Sequence, residues 1–411
     1  MIDGIERKRK VLIITPFSPS GTFYDWMRTL LDSQRKDSSI DLRILALDEC
    51  LPVPFRYMKH YRKPTPMSAM EEQRLSVWVI RHRVTVFPLG IGKKELAPMY
   101  ARTGLKAVLK RWPNWEPDLV HVHWIFPYGI IAQQLAKHYS CPYMITAHGG
   151  VLTAKDGISE SDIKKRDMVL GICGMAKKIT CVGRSLFHVL NNIGVSQDKI
   201  RVIYNGVDVE KIAEVVETQR TRLDEQIRIV SVGNLIHLKG HDLTLQATAK
   251  IIATYPRIVL DIVGHGRLEH QLRSMVEKLG LSKNVVFHGR CSFEKTIEII
   301  SRGDIFCLPS RMEGFGLVYA EALACGKPVI ATKDRGISYL IEEWGAGILV
   351  EPDSSDSVSA ALEWLIQHPV DAKEMGRRGQ KEVVSEFSWR HAAHEYNEMY
   401  RSLTEGEENG E

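Results

Sequence analysis

Short apolar runs alternate with amphipathic stretches along almost the whole chain. Runs that are rich in β-branched residues and bounded by helical patterns are typical of parallel strands covered by helices on both faces. In the first part of the chain, the strand candidates are Val11–Thr15, Leu42–Leu47, Val84–Phe87, Leu119–His123, Tyr143–Ala147, Ile179–Val182 and Val202–Tyr204.

A charged stretch, Val209–Gln226, interrupts this alternation and is interpreted as a domain junction. The alternation then resumes with Arg228–Gly233, Ile258–Val263, Val285–His288, Ile305–Leu308, Val329–Thr332 and Ile348–Val350. The pattern predicts an α/β protein with two Rossmann-like, doubly wound parallel-sheet domains, residues 1–208 and 209–388, facing across a ligand cleft. A helix over 389–403 is expected to pack back on the first domain, before a disordered acidic tail at 404–411.

Composition narrows the class of protein. The chain has 411 residues, a formal net charge of +5 and seven scattered cysteines without a CxxC motif. The charge is too small to indicate nucleic-acid binding, and the cysteines favour reduced thiols in the cytoplasm. The basic, then apolar N-terminus fits a first strand better than a signal peptide, and the sequence contains no apolar run long enough to span a membrane.

The most informative local feature is the segment from Glu313 to Glu321. It joins the apolar run Ile305–Leu308 to a helical pattern, so Glu313 and two glycines, Gly314 and Gly316, lie where a strand hands over to a helix. That edge of an open α/β sheet is where ligands bind, and helix-start amides favour phosphate. A carboxylate beside such amides indicates a ligand with both phosphate and neutral hydroxyl groups, as a sugar nucleotide has.

Lys239 follows the first strand of the second domain, after Gly233 and Asn234. An ammonium group there is able to face a diphosphate; taken alone it is more often a solvated surface lysine. Its loop and the Glu313 loop belong to the same sheet edge, which favours the functional interpretation. Gly264 indicates a tight turn at the floor of the cleft, and Arg290 is equally consistent with nucleotide contact or a surface salt bridge.

Further landmarks surround these residues. They are Pro309-Ser310-x-x-Glu313-Gly314-Phe315-Gly316-(x)4-Glu321, Gly233-(x)5-Lys239-Gly240, Ile203–Asp208, Thr146-Ala147-His148-Gly149 and Pro117–His123. In combination they resemble the family-4 glycosyltransferases, which have the GT-B fold, over nearly the whole chain. The N-terminal part is also similar to bacterial surface-polysaccharide transferases of the teichuronic-acid type.

The resemblance implies a retaining glycosyl transfer from a nucleotide-sugar donor without a bound metal or other cofactor. It implies that Glu313 and His148 approach the donor sugar, that Glu321 contacts the ribose, and that Lys239 steadies the leaving diphosphate. The amides of Phe315, Gly316 and Leu317 are implied to hold sugar hydroxyls and phosphate. The loop containing Ser20, Gly21 and Thr22 is implied to line the cleft near the phosphates and the acceptor.

Two features qualify this resemblance. Many family members carry arginine where this chain has Asn234, which leaves a second cationic phosphate contact in doubt unless Arg290 or Arg184 replaces it. His121 and His123 alternate on one strand and so face the same way, which is a possible metal pair; without a third ligand nearby, a structural role is favoured.

The acceptor is less well defined. Two basic and aromatic stretches, Phe55–Lys63 and Lys93–Trp115, lie in the first domain. In the second stretch a helix with an apolar stripe beside lysines and arginines suggests contact with anionic lipid at the inner face of the cell membrane, whereas an ordinary helix packed on its own sheet is the alternative. A glycan or lipid-linked acceptor is expected.

The sequence therefore predicts a hexosyltransferase of bacterial surface polysaccharide synthesis, with UDP as the expected nucleotide. The alternatives are a nucleotide-sugar epimerase and a non-catalytic sugar-nucleotide-binding protein on the same fold.

Overall fold

The structure is a computed structural model that describes residues 7–16, 22–50, 78–85, 97–148, 160–218, 225–313 and 315–405. The chain divides into two compact units, residues 1–204 with 389–411, and residues 205–388. The division therefore falls between Tyr204 and Asn205, where the sequence predicted a boundary at residue 208. Most of the predicted tail, residues 406–411, lies outside the described residues.

The first unit is built around a seven-stranded parallel sheet with the order β3-β2-β1-β4-β5-β6-β7. Its elements are β1 Arg9–Pro16, α1 Thr22–Gln34, β2 Ile40–Cys50, β3 Trp78–Thr85, α2 Ala97–Arg111, β4 Leu119–His123, α3 Tyr128–Tyr139, β5 Tyr143–Ala147, α4 Glu160–Met175, β6 Lys178–Cys181, α5 Arg184–Asn192 and β7 Ile200–Val202.

The second unit has a six-stranded parallel sheet with the order β10-β9-β8-β11-β12-β13. Its elements are α6 Val209–Glu217, β8 Ile227–Val232, α7 His241–Ile251, β9 Ile258–Val263, α8 Glu269–Lys278, β10 Val285–Gly289, α9 Phe293–Arg302, β11 Ile305–Leu308, α10 Leu317–Ala324, β12 Val329–Thr332, α11 Ser338–Glu343, β13 Gly347–Val350, α12 Ser355–Gln367 and α13 Pro369–Glu386. The last helix, α14 Trp389–Thr404, belongs to the first unit and packs on α1 and β1.

The central strands are apolar because helices cover both faces of each sheet. Residues 11–14 of β1 and all of β11 are buried, as the runs of isoleucine, leucine and valine predict. The two doubly wound sheets confirm the predicted fold class, and in each one the strand order reverses at a central switch point. Among the described helices, none combines the length and the low charge that a membrane span requires.

Three predicted segments differ from the structure, and the first is the strand expected at Val202–Tyr204, which is β7 Ile200–Val202. The strand expected at Val84–Phe87 is Trp78–Thr85, an edge strand paired with β2, and residues 86 and 87 lie outside the described part of the chain. The stretch Val209–Gln226, interpreted as a junction, contains α6, whose first turn is capped by Asp208 accepting a hydrogen bond from the Lys211 amide at 3.2 Å. Charged residues on the exposed face of this helix hid its amphipathic pattern.

Candidate active site

The loops after β8 and β11 carry the predicted donor-site residues. These two strands are neighbours, and the sheet order reverses between them. At such a switch point the two loops run in opposite directions away from the sheet edge and leave a crevice for a ligand. Lys239 stands in the first loop and Glu313 in the second, so the sequence prediction that they share one edge is confirmed.

The two side chains are in direct contact. Lys239 Nζ donates to Glu313 Oε2 at 2.5 Å. The side chains are 21% and 11% exposed, so the pair is partly buried but remains accessible from solvent. A cation and an anion side by side match a ligand that presents a phosphate next to hydroxyl groups.

Gly240 allows the backbones of the Lys239 and Glu313 loops to approach each other closely. Gly240 has a φ of +70°, and a Cβ atom there would lie 2.1 Å from the carbonyl oxygen of Pro309. The Arg311 amide also donates to the Leu238 carbonyl at 2.9 Å. Only glycine combines that dihedral with that contact, so the residue after Lys239 fixes the lysine loop against the glutamate loop.

The start of α10 is anchored by aromatic packing. Phe315 is buried and stacks on Phe387 with the ring centroids 5.8 Å apart, while the Tyr319 hydroxyl donates to the Leu308 carbonyl at 2.6 Å. Gly316 has a φ of +90° immediately before Leu317, the first residue of the helix. Gly314 lies outside the described residues.

Glu321 lies inside α10, one turn beyond its start. Although part of its surface reaches solvent, desolvation by the surrounding protein raises the pKa of its carboxyl to about 7. A carboxyl group with this pKa changes charge close to neutral pH, and pKa values of this kind are concentrated at functional sites.

The remaining predicted residues lie along the same sheet edge. Gly233 and the exposed Asn234 follow β8, and the Gly264 amide after β9 donates to the Gly289 carbonyl at 2.8 Å. Arg290 is exposed and follows β10, the outermost strand on that side, two strands away from β8. Gly264 and Gly289 thus hold neighbouring loops together, while Arg290 lies further from the switch point than the Lys239 and Glu313 loops.

In the first unit, the ends of β4 and β5 bring histidines together. His123 Nδ1 and His148 Nε2 lie 2.8 Å apart, and the Trp124 ring stacks on His148 with centroids 4.4 Å apart. Burial lowers the pKa of His123 to about 3, and burial together with His123 lowers the pKa of His148 well below its usual value. Both rings are therefore neutral at physiological pH, and one hydrogen atom is shared between the two facing nitrogens.

His121 is part of a buried polar network below this pair. Its Nδ1 lies 2.6 Å from the Tyr400 hydroxyl and its Nε2 lies 2.7 Å from Thr146 Oγ1. Gln34 donates to Tyr400 at 3.0 Å, which leaves the Tyr400 hydrogen for His121 Nδ1 and places the His121 hydrogen on Nε2. The network ties β4 to β5 and α14.

These contacts give His121 and His123 roles that differ from the metal pair considered for them. The described residues hold no group of three or more His, Cys, Asp or Glu side chains positioned to bind a metal ion. The structural role predicted for His121 agrees with its contacts, whereas the bond from His123 to His148 was missed. His123 and His148 meet because β4 and β5 are paired neighbours whose ends are in register, and no motif in the sequence indicated this contact.

Other predictions concern residues that the structure describes only in part. Ser20 and Gly21 lie outside the described residues, and of Thr22 only the backbone at the start of α1 is described. Phe55–Lys63 also lies outside them. In α2, Val108 is fully buried and the following Trp112 is nearly so, so the apolar stripe covers the interior of its own unit.

Two family profiles match the chain. "Glycosyltransferase Family 4" matches residues 61–211 and "Glycosyl transferases group 1" matches residues 215–382. A glycosyltransferase from Methanocaldococcus jannaschii is 28% identical over 70% of this chain and 76% of its own length. A D-inositol 3-phosphate glycosyltransferase from Corynebacterium jeikeium is 26% identical over 78% of this chain and 81% of its own.

Solved structures agree with the fold. Sucrose-phosphate synthase from Thermosynechococcus elongatus superposes with a TM-score of 0.75 at 19% identity, covering 96% of this chain and 99% of its own. Anabaena HepE in complex with UDP gives a TM-score of 0.74 at 17% identity, covering 96% of this chain and 100% of its own. From the two profile matches, these relatives and the two doubly wound sheets, we conclude that the chain belongs to the family-4 glycosyltransferases, enzymes of the GT-B fold.

Proposed function

We propose that this glycosyltransferase moves a hexosyl group from a nucleotide-diphosphate sugar, expected to be a UDP-sugar, to a glycan or lipid-linked acceptor, with retention at the anomeric carbon and without a metal. The observation that carries the proposal is the Lys239–Glu313 pair at the switch point of the second sheet. UDP and UDP-glucose occur in the Anabaena HepE structures, which supports UDP as the first nucleotide to test.

The pair suits the donor because its two members favour different parts of it. The bond from the anomeric carbon to the diphosphate breaks, and negative charge grows on the leaving phosphate. The Lys239 ammonium stabilises that charge, and the Glu313 carboxylate accepts hydrogen bonds from sugar hydroxyls and favours the positive charge that develops on the ring. The acceptor hydroxyl attacks on the same face and gives its proton to the departing phosphate oxygen, so this route needs no protein nucleophile.

His148 is proposed to contact the donor sugar, as the resemblance implies. A neutral imidazole offers one donor and one acceptor and adds no charge beside an electron-poor anomeric carbon. The low pKa of His148 therefore suits a group that orients hydroxyls rather than one that transfers a proton. Glu321, with its pKa of about 7, is proposed to accept from the ribose hydroxyls.

The acceptor proposal includes contact with a membrane at its cytoplasmic face, in bacterial surface-polysaccharide synthesis. Since Val108 and Trp112 are buried, insertion of the apolar stripe is unsupported. The exposed Lys106 and Lys110 support an electrostatic contact with anionic headgroups instead. Lys106→Glu with Lys110→Glu should abolish binding to anionic vesicles at low salt and leave turnover of a soluble acceptor unchanged; equal binding by the variant would contradict the contact.

A donor screen tests the central proposal. UDP, GDP and ADP and their glucose conjugates are compared by thermal shift, since a ligand that binds only the folded state raises its stability. The nucleotide that binds is then used with candidate acceptors, with and without EDTA, and the product anomer is read by NMR. Turnover without an acceptor and with the nucleotide still attached would identify an epimerase, and binding without any turnover would favour a binding protein.

A matched pair of variants locates the site. Glu313→Gln keeps the shape of the side chain and removes its charge, and it should lower kcat at least about a hundredfold with one such interaction lost. Glu351→Gln removes a carboxylate from an exposed pair with Lys333 in the same unit and should leave kcat unchanged. Equal turnover by both variants would place the chemistry elsewhere.

A further inference from the structure

Arg311 is a hub of ionic and hydrogen-bond contacts at the carboxyl edge of the second sheet. Its guanidinium donates to Asp242 through two parallel bonds, Nη1 to Oδ1 at 2.8 Å and Nη2 to Oδ2 at 2.7 Å. Nη1 also donates to the His237 carbonyl at 2.8 Å. Asp242 lies in the first turn of α7 and His237 lies two residues before Lys239, so one side chain contacts the chain on both sides of Lys239.

The same residue reaches two more loops. Arg311 Nε donates to Asp353, in the loop after β13. The Arg311 carbonyl accepts from Arg335 Nε at 3.0 Å, in the loop after β12. Arg311 thereby connects the loops that follow β8, β11, β12 and β13, and it stands two residues before Glu313.

The electrostatics of this hub are those of a structural clamp. The Arg311 side chain is 13% exposed and that of Asp242 is 21% exposed, so solvent screens the pair only partly. Partial burial favours the protonated form of Asp242, but the hydrogen bonds and charge of Arg311 outweigh it and lower the pKa of that carboxyl. The guanidinium donates to protein oxygens from all three of its nitrogens, so Arg311 is held as part of the scaffold, whereas Lys239 stands in the loop that faces the crevice.

We propose that Arg311 is a positioning residue for the nucleotide-sugar donor, which fixes the backbones of the Lys239 and Glu313 loops at a constant separation. This inference rests on the proposed function. With the backbones fixed, the 2.5 Å contact between the two side chains opens by rotation alone. The ammonium then turns to the diphosphate and the carboxylate to the sugar, without movement of either loop.

Arginine is required by the geometry. A lysine would keep the charge but would lose the planar fork that matches both oxygens of Asp242 while a third bond reaches His237. Arg311→Lys therefore loosens the two loops relative to each other without changing the net charge of the site.

The proposal is tested by measuring the UDP affinity of the full chain with isothermal titration calorimetry. Arg311→Lys should bind UDP about tenfold more weakly, because at least one charge-assisted bond that orders the lysine loop is lost. Arg377→Lys is the matched control, since Arg377 makes a similar two-bond contact with Glu374 on the exposed side of α13. It should bind UDP as the wild type does. Asp242→Asn tests the clamp from its other side if Arg311→Lys does not fold.

A double-mutant cycle with Lys239→Ala separates positioning from general destabilisation. If Arg311 acts through Lys239, Arg311→Lys should weaken UDP binding in the wild type and have little further effect in the Lys239→Ala background. An equal loss in both backgrounds, or wild-type affinity of the single variant, would overturn the proposal while leaving the proposed function intact. Failure of the wild type to bind any of UDP, GDP or ADP would overturn both.

Discussion

The two units place polar groups at their sheet edges in opposite ways. In the second unit, the loops after β8 and β11 carry full charges that are paired with each other, as in Lys239–Glu313 and Arg311–Asp242. In the first unit, the ends of β4 and β5 carry His121, which is fully buried and kept neutral by burial, and the equally neutral pair His123 and His148.

Solvent access explains the difference. The charged pairs are partly exposed, where water offsets the cost of bringing ions together, whereas the rings of His121 and His123 have no exposed surface. A charged edge is able to exchange its internal partner for a ligand, since both states are ionic. In the neutral network each hydrogen bond uses one hydrogen atom, so each side chain fixes the orientation of the next.

The largest expected effect is on the charged side. Lys239→Ala removes the cation proposed to face the leaving diphosphate and should lower kcat/KM about a hundredfold to a thousandfold. Lys250→Ala is the matched control, because Lys250 lies on α7 of the same unit and pairs with the exposed Asp356. Steady-state kinetics with the identified donor give the comparison, and a loss in Lys250→Ala as large as that in Lys239→Ala would refute the assignment.

In the neutral histidine network of the first unit, a substitution should lower stability. His121→Phe leaves the Tyr400 hydroxyl without an acceptor for its hydrogen, which should lower the free energy of unfolding by about 1–3 kcal/mol. Thr146 loses its bond to the ring but keeps its contacts with Thr180 and Tyr396. Urea unfolding measures the loss. Adding Tyr400→Phe should restore part of it, and the exposed His138→Phe should change little; an unchanged unfolding midpoint in His121→Phe would show that the network does not stabilise this unit.

The next largest effect is the pH dependence of stability, which the buried histidines should give to the first unit. The folded-state pKa values of His121, His123 and His148 lie below the value of 6.5 for an unfolded histidine, so the unfolded chain binds protons that the folded chain does not. The contribution of His123 to stability is full above pH 6.5 and is lost as pH falls towards about 3, at about 1.4 kcal/mol per pH unit, and His121 and His148 act in the same direction. Unfolding of His123→Gln between pH 7.5 and 4.5 should show a smaller slope than the wild type, and an unchanged slope would contradict a neutral buried ring.

The smallest effect concerns Glu321, whose pKa is raised to about 7. Because the ionised carboxylate is the better acceptor for ribose hydroxyls, nucleotide affinity should rise a few-fold between pH 6 and 8. Stability moves in the opposite sense: the contribution from this group is full below about pH 4.5 and is lost as pH rises through 7. Glu321→Gln should flatten both profiles, whereas a pH-dependent affinity that persists in Glu321→Gln would assign the titration to another group.

Much of this architecture could be predicted from the sequence because parallel strands buried on both faces leave a clear apolar signal. β4, β5, β9, β11 and β12 have the bounds that their apolar runs predict. The error at β3 has a physical reason. It is the outermost strand of its sheet, and Arg81 and Arg83 interrupt its apolar pattern, as charged residues commonly do in edge strands.

The sequence predicted which loops carry the site residues, but it did not predict the contacts between their side chains. Lys239 and Glu313 were placed on one edge because each follows an apolar strand of the same sheet. Arg311 is one of the unspecified positions between Ser310 and Glu313 in the family motif. Its partner Asp242 lies 69 residues away in sequence. The bond between His123 and His148 likewise depends on the register of β4 and β5, which composition does not encode.

The last helix in the sequence completes the first unit. Because α14 supplies Tyr396 and Tyr400 to the network of β4 and β5, this unit cannot close its core until the ribosome has translated the whole second unit. Residues 205–388 are contiguous and are able to fold as soon as they emerge, so the later unit in the sequence is the earlier one to finish. A chain released before Tyr400 would keep the contiguous second unit, but the polar network around His121 would lack its tyrosine, and the apolar surface left exposed on the first unit would favour proteolysis.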